Sequence, residues 1–273
     1  MNTLIVTDLD GTVLFSPRSL VAGDDGLKPV DVHEGRTLAS MTAAATHEWI
    51  RLVRTGALVP ATTRSVPQYM RLRLPGPAPR MAIVCNGARL LVDGVPDAGW
   101  ERRMRRRMRG SATFDLVWKQ VTSWYGRHPF AALRAVDDLF MYLAVHERTE
   151  WLTRFASAAA MWTADVGWRV SLQGRKLYLL PAALDKAAAC AHVAERLGAE
   201  RVVAGGDSLL DLGMLQTADA AIRPAHGELH LRDVALPGCL VTRTSGARAG
   251  DEILQWYARQ VRPAPPVATT NLR

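Results

Sequence analysis

Near the start of the chain two aspartates stand one residue apart, in Asp8-Leu9-Asp10-Gly11-Thr12, directly after the β-prone apolar run Thr3-Leu-Ile-Val-Thr7. A strand that stops at a glycine turn delivers both carboxylates to the crevice beyond the sheet's C-terminal edge, where open α/β sheets bind ligands. A carboxylate facing a phosphate dianion is repelled by it. Phosphoryl chemistry at such a pair therefore calls for a divalent cation that neutralises charge and holds both groups in line.

Three further segments carry polar groups of a matching kind. Ala61-Thr62-Thr63-Arg64 closes a second predicted strand, 57–62. Leu184-Asp185-Lys186-Ala187 opens a predicted helix, and a lysine in a first helical turn opposes the helix dipole unless an anion sits there. The chain has only four lysines (Lys28, Lys119, Lys176, Lys186), so each is informative, and Lys176 competes with Lys186 from a strand position. Finally, Val202-Val-Ala-Gly-Gly-Asp207-Ser208 runs on to Asp211. Its glycines let the chain turn sharply off a strand, and aspartates four apart at a helix start point to one side.

Taken in order, the four segments resemble the motifs of the haloacid dehalogenase-like superfamily, over residues 3–88 and 172–225. The resemblance implies that Asp8 is a nucleophile, and that Asp10 is general acid toward the leaving oxygen and base for the water that hydrolyses an aspartyl-phosphate. It implies Thr62 and Lys186 as phosphate ligands, and a Mg2+ ion held by Asp8, Asp207 and the backbone carbonyl of Asp10 with retained waters. Asp211, Ser208 and Thr12 would stand behind these groups, with Asn86, Arg64 and Arg175 as candidates for substrate contact. Relatives that attack carbon lack the second aspartate and related ATPases carry lysine there, so Asp10 favours a phosphatase. The chain departs from the family pattern at Thr63, where glycine is usual, and at Leu210, where many relatives carry asparagine. A β-branched Thr63 implies a backbone φ below zero; Leu210 removes a polar contact to metal or phosphate. The activity implied is Mg2+-dependent hydrolysis of a phosphomonoester, with phosphotransfer to another acceptor or a binding protein without turnover as alternatives.

To position these groups, an α/β fold is expected: a Rossmann-like doubly wound parallel sheet over residues 1–87 and 173–261, with an inserted α+β cap domain over 88–172. Residues 16–37 read as a loop or hairpin flap, 38–54 as a helix and 81–85 as a third strand. Helices near 97–109 and 147–160 and a strand at 139–145 are expected in the insert. A helix at 185–197, a strand at 201–204 and a helix from 208 then resume the core, and 262–273 reads as a disordered tail. Cys85-Asn86-Gly87-Ala88 looks like the core-to-cap crossing of the Cof-like and sucrose-phosphate phosphatase-like branch, in which the cap chooses the leaving group. By that likeness the substrate is a small soluble phosphate ester, of a sugar or related polyol.

Composition narrows the alternatives. The formal charge of +8 is spread along the chain except at Arg102–Arg109, and no nucleic-acid-binding motif accompanies it, so no nucleic-acid partner is expected. In that cluster Met104 and Met108 share one helix side, which reads as a solvated basic face with an apolar back. Three cysteines at wide spacing give neither a disulfide framework nor a zinc site and read as buried thiols. No stretch is long and apolar enough for a membrane span and the N-terminus lacks a basic signal region, so the cytoplasm is the expected location. Six of the eight tryptophans fall in the insert. They are read chiefly as core packing, with stacking on a sugar as the functional reading. His33 and His128 are flagged as loop residues that could line an entrance.

Overall fold

The computed structural model describes residues 2–261. The tail expected to be disordered, 262–273, lies outside the described residues. The chain opens with β1 (Thr3–Thr7), a hairpin of β2 (Lys28–His33) and β3 (Arg36–Met41), then α1 (Ala43–Arg54), β4 (Leu58–Pro60), α2 (Val66–Met70) and β5 (Met81–Val84). The middle carries β6 (Arg89–Val92), β7 (Val95–Pro96), α3 (Ala98–Arg107), α4 (Phe114–Arg127), β8 (Ala132–Val136), β9 (Phe140–Ala144), α5 (Glu150–Asp165), β10 (Trp168–Gln173) and β11 (Lys176–Pro181). The remainder is α6 (Lys186–Leu197), β12 (Arg201–Gly205), α7 (Leu212–Thr217), β13 (Ala220–Arg223), α8 (Gly227–Leu231), β14 (Cys239–Val241) and α9 (Ala247–Gln260).

The central sheet is parallel, in the order β14-β13-β12-β1-β4, and Ala61 bridges in parallel to Ile83 so that β5 continues it. β1 is buried along its whole length, as a strand covered on both faces must be. This is the expected Rossmann-like core. Against its C-terminal edge lies a four-stranded antiparallel sheet, β10-β11-β9-β8. Leu177, Leu179, Met141 and Leu143 alternate to its buried face, beside the apolar sides of α4 and α5, whereas Tyr142, Lys176 and Tyr178 alternate to the other. That second face is the roof of the site.

Three local expectations change. Residues 38–41 are strand, because β3 pairs with β2, and the helix starts after Thr42, whose hydroxyl accepts the Ala45 N–H as an N-cap. The helix expected from 208 begins at Leu212, because residues 207–211 are drawn into a turn by the Asp211 carboxylate. The segment 176–181, read as the resumption of the core, instead pairs with β9 and β10 in the roof sheet. Local sequence could not reveal this: Leu-Tyr-Leu-Leu fits a core strand equally well, and its pairing partners lie elsewhere in the chain.

In α3, Met104 is buried while Arg102, Arg103, Arg105 and Arg106 are exposed. Trp100 packs toward the core, its indole N–H donating to the Gly87 carbonyl and its ring stacked on His192 of α6. Trp124 and Trp162 meet edge to face, and Trp151 packs among Phe130, Phe155 and His128. Cys85 and Cys190 are buried thiols, while Cys239 is only half-buried. No helix among the described residues is long and apolar enough to cross a membrane.

Candidate active site

Asp8 leaves β1 with its N–H bonded to the Gly205 carbonyl (2.9 Å), so the strand register of β1 against β12 fixes the nucleophile candidate beside Asp207. The next turn folds back on Leu9, whose carbonyl accepts the amides of Thr12, Val13 and Leu14. Gly11 takes φ +84°, and a Cβ there would lie 2.6 Å from Asp207 Oδ2. Only glycine allows that approach of backbone to carboxylate. A Cβ on Gly227 would likewise stand 2.8 Å from Asp207 Oδ2, so Asp207 is cradled by two glycines.

Around Asp8 the expected groups converge. Thr12 Oγ1 donates to Asp8 Oδ2 (3.1 Å), and Lys186 Nζ donates to Asp8 Oδ1 (2.6 Å) and Asp211 Oδ1 (2.6 Å). The other Asp211 oxygen accepts the amides of Asp207 and Ser208 and the Ser208 hydroxyl (2.8 Å). Asp211 is thus the hub that orients Lys186 and shapes the Asp207 turn. Lys186 is fully buried. Burial alone would depress its pKa, but the Asp211 and Asp8 charges outweigh that and hold it above the ordinary lysine value. Asp8 is pushed up to about 7, chiefly by burial, with Lys186 offsetting part of the rise and Asp211 adding to it. Asp207 is raised well above an ordinary carboxylate by burial and by repulsion from Asp8 and Asp211.

Asp8, Asp207 and Asp211 each place one carboxylate oxygen within 4.8 Å of the others. Asp211 is engaged at both oxygens, while Asp207 has no cationic partner of its own among the described residues. The unmatched negative charge and all-oxygen donor set of Asp8 and Asp207 fit a hard divalent cation such as Mg2+. Leu210 is buried in the core.

Asp10 is solvent-accessible and is gripped at both oxygens by Arg64, Nε to Oδ2 at 2.8 Å and NH2 to Oδ1 at 2.7 Å. Arg64 also reaches Asp31, a residue of β2 that is almost fully buried, and Arg71 pairs with the same carboxylate at 2.8 Å. Burial would raise Asp31, but its bonds to Arg71 and Arg64 outweigh that and lower it. Neither Asp31 nor Arg71 stands out in the sequence. Asp31 lies in a segment legible only as a flap, and nothing local ties it to residue 64.

The core edge, the hairpin flap and the roof enclose a cleft of about 520 Å3 lined by Asp8, Asp10, Asp207, Ser208, Thr63 and Arg64, among others. Arg175 also lines it, with its guanidinium donating to the His146 carbonyl. Thr62 is buried: its N–H donates to the Ile83 carbonyl and its hydroxyl accepts the Arg64 N–H at 3.1 Å, so Thr63 is the threonine on the cleft wall. Thr63 has no positive φ, as its β-branched side chain implied. Asn86 departs from the expectation of substrate contact. It is fully buried in a left-handed turn (φ +53°), with Nδ2 donating to the Leu184 carbonyl. It steadies the entry to α6 rather than lining the cleft. No tryptophan and neither His33 nor His128 is among the cleft residues; its aromatic faces are Tyr142 and Tyr178.

A parallel sheet with its carboxylates at the C-terminal edge, under an antiparallel roof, is a fold this chain shares with solved haloacid dehalogenase-like hydrolases. The sucrose-phosphatase from Synechocystis, solved with sucrose and phosphate, matches with a TM-score of 0.64 at 16% identity, over 94% of this chain and 97% of that one. A trehalose-6-phosphate phosphatase related protein matches at 0.58 and 17% identity, over 94% and 97%. A haloacid dehalogenase-like hydrolase from Bacteroides thetaiotaomicron matches at 0.56 and 17%, over 96% and 100%. No family model matches the chain, and no curated protein does.

Proposed function

We propose that the protein is a metal-dependent phosphomonoester hydrolase that works through an aspartyl-phosphate on Asp8. The observation that carries this reading is the buried Lys186 ammonium held 2.6 Å from both Asp8 and Asp211, with Asp207 in the same carboxylate group and the cleft open above it. A lysine so placed offsets the charge that gathers when a phosphate dianion meets a carboxylate. Similarity to solved phosphatases of this fold supports the same reading.

Asp8 and Asp207, with the backbone carbonyl of Asp10, would hold Mg2+, which when bound supplies charge neutralisation and alignment of the phosphoryl group. Thr12 and Lys186 fix the two oxygens of Asp8, so its attack on phosphorus starts from one orientation. As the P–O bond to the leaving group breaks, Asp10 gives its proton to the departing oxygen. In the second half, Asp10 takes a proton from the water that attacks phosphorus, and Asp8 leaves as carboxylate. The Arg64 guanidinium, bonded to both oxygens of Asp10, holds that carboxylate at the cleft. Thr63 and Ser208 line the cleft and offer hydroxyls to phosphoryl oxygens, whereas Thr62 is buried beneath them. The substrate is a small soluble ester, bounded by the cleft's size.

The test is Mg2+-dependent phosphate release from p-nitrophenyl phosphate by wild type and by Asp8→Asn. Release by wild type alone is expected, and equal rates in the two proteins would sink the reading.

A further inference from the structure

The two walls of the cleft differ in how their charges are matched. On the core side Arg64 and Arg71 are taken up by Asp10 and Asp31, and Lys186 by Asp8 and Asp211. On the roof, Arg175 and Lys176 line the cleft with Gln173, Tyr142 and Tyr178, and the roof contributes no acidic residue to the lining. Neither roof cation has a carboxylate partner among the described residues. Arg175 donates to the His146 backbone carbonyl, and the Lys176 ammonium stands 5.0 Å above the Tyr142 ring and beside the Tyr178 hydroxyl.

Strand register explains this placement. Lys176 and Tyr178 alternate with the buried Leu177 and Leu179, and Tyr178 pairs with Tyr142 across the ladder. A cation over a ring face is held ready for a ligand at little ordering cost. This face lines the cleft together with Asp10, the acid toward the leaving oxygen in the phosphatase reading, whereas Lys186 is buried against Asp8.

Resting on the phosphatase reading above, we propose that the roof is a subsite for an anionic substituent of the leaving group. Lys176, with Arg175 beside it, takes a carboxylate or second phosphate carried by the substrate, and Tyr142 and Tyr178 flank its carbon frame. An uncharged leaving group would cover two cations without matching either, which costs their hydration.

Dissociation constants by titration calorimetry and kcat/KM with Mg2+ are compared for two pairs of esters. One pair, 3-phosphoglycerate and glycerol 1-phosphate, differs by a carboxylate. The other, glucose 1,6-bisphosphate and glucose 6-phosphate, differs by a phosphate. Wild type is expected to favour the charged member of one pair about tenfold, the worth of one charge-assisted hydrogen bond. Lys176→Met should erase that ratio, and Lys176→Arg should keep most of it. No preference in wild type, or a ratio that survives Lys176→Met, overturns the proposal. An equal fall for both members leaves the ratio intact and so also overturns it, assigning Lys176 to the transferred phosphoryl group. Failure of the phosphatase reading is seen separately, as no phosphate release from any ester or from p-nitrophenyl phosphate. In that case the ratios of dissociation constants decide the subsite.

Discussion

Lys186 is an ammonium without access to water between two carboxylates, and that position determines what each of them can do. Lys186→Met leaves Asp8 and Asp211 facing each other uncompensated, which should cost about 3–5 kcal/mol in urea unfolding at neutral pH. It should also lower kcat on the order of a hundredfold or more, through lost charge stabilisation. A variant of wild-type stability and rate would show that Lys186 is not coupled to Asp8. Asp31 gives a pH-dependent counterpart. Its folded pKa is lowered, so the unfolded chain binds the proton more readily, and the stability it contributes is present above its ordinary value of 3.8 and lost as pH falls through the lowered one. The stability gap between wild type and Asp31→Asn should therefore be wide at pH 7 and shrink below pH 3.8; a gap independent of pH would contradict the Asp31 pairing. Asp8, Asp10, Lys186, Asp207 and Asp211 were legible because each sits at the start or end of an element with a local sequence signal. Asp31, Arg71, Tyr142 and Tyr178 were not, because their roles arise from pairings across 30 residues or more, which leave no local trace.

At the scale of elements, an aspartate in the β8–β9 turn helps to tie the roof to the core. Asp137, between β8 and β9 at φ +48°, accepts the Val66 N–H (3.1 Å) that opens α2 and the Cys85 thiol (3.1 Å), and lies 3.6 Å from Arg89 Nε. Asp137→Ala should free this contact while leaving both sheets intact, seen as faster hydrogen exchange at the Val66 amide. Unchanged exchange there would show that the roof is held elsewhere. The parallel core was readable from its apolar strands and glycine turns, and so was the existence of an insert. The boundary between them was not. β11 carries the alternation of any half-buried strand, and only its ladder with β9 and β10 assigns it to the roof. The start of α1 was misplaced for a related reason: Leu38 and Met41 fit a helical period, but pairing with β2 holds them extended until the Thr42 cap.

Over the whole molecule, the charge of +8 is carried by arginines distributed along the chain, many of them on exposed faces such as that of α3. With its basic residues so dispersed, binding to nucleic acid should be weak and screened. A gel shift at about 0.15 M salt is expected to show no complex, and a discrete complex would point to a second activity. Within the cleft, a core wall carrying Asp8, Asp10 and Asp207 lies beneath a basic roof. Adding Mg2+ should therefore raise the thermal midpoint of the wild type by more than that of Asp207→Asn, since only a ligand held by the native state stabilises it. In the proposed reaction Asp8 carries the phosphoryl group covalently between the two half-reactions. Acid quenching during turnover of a labelled phosphate ester, followed by peptide mapping, should place the label on the peptide that contains Asp8 in wild type and on none in Asp8→Asn. Turnover with no label on that peptide, or with label on another, would contradict it.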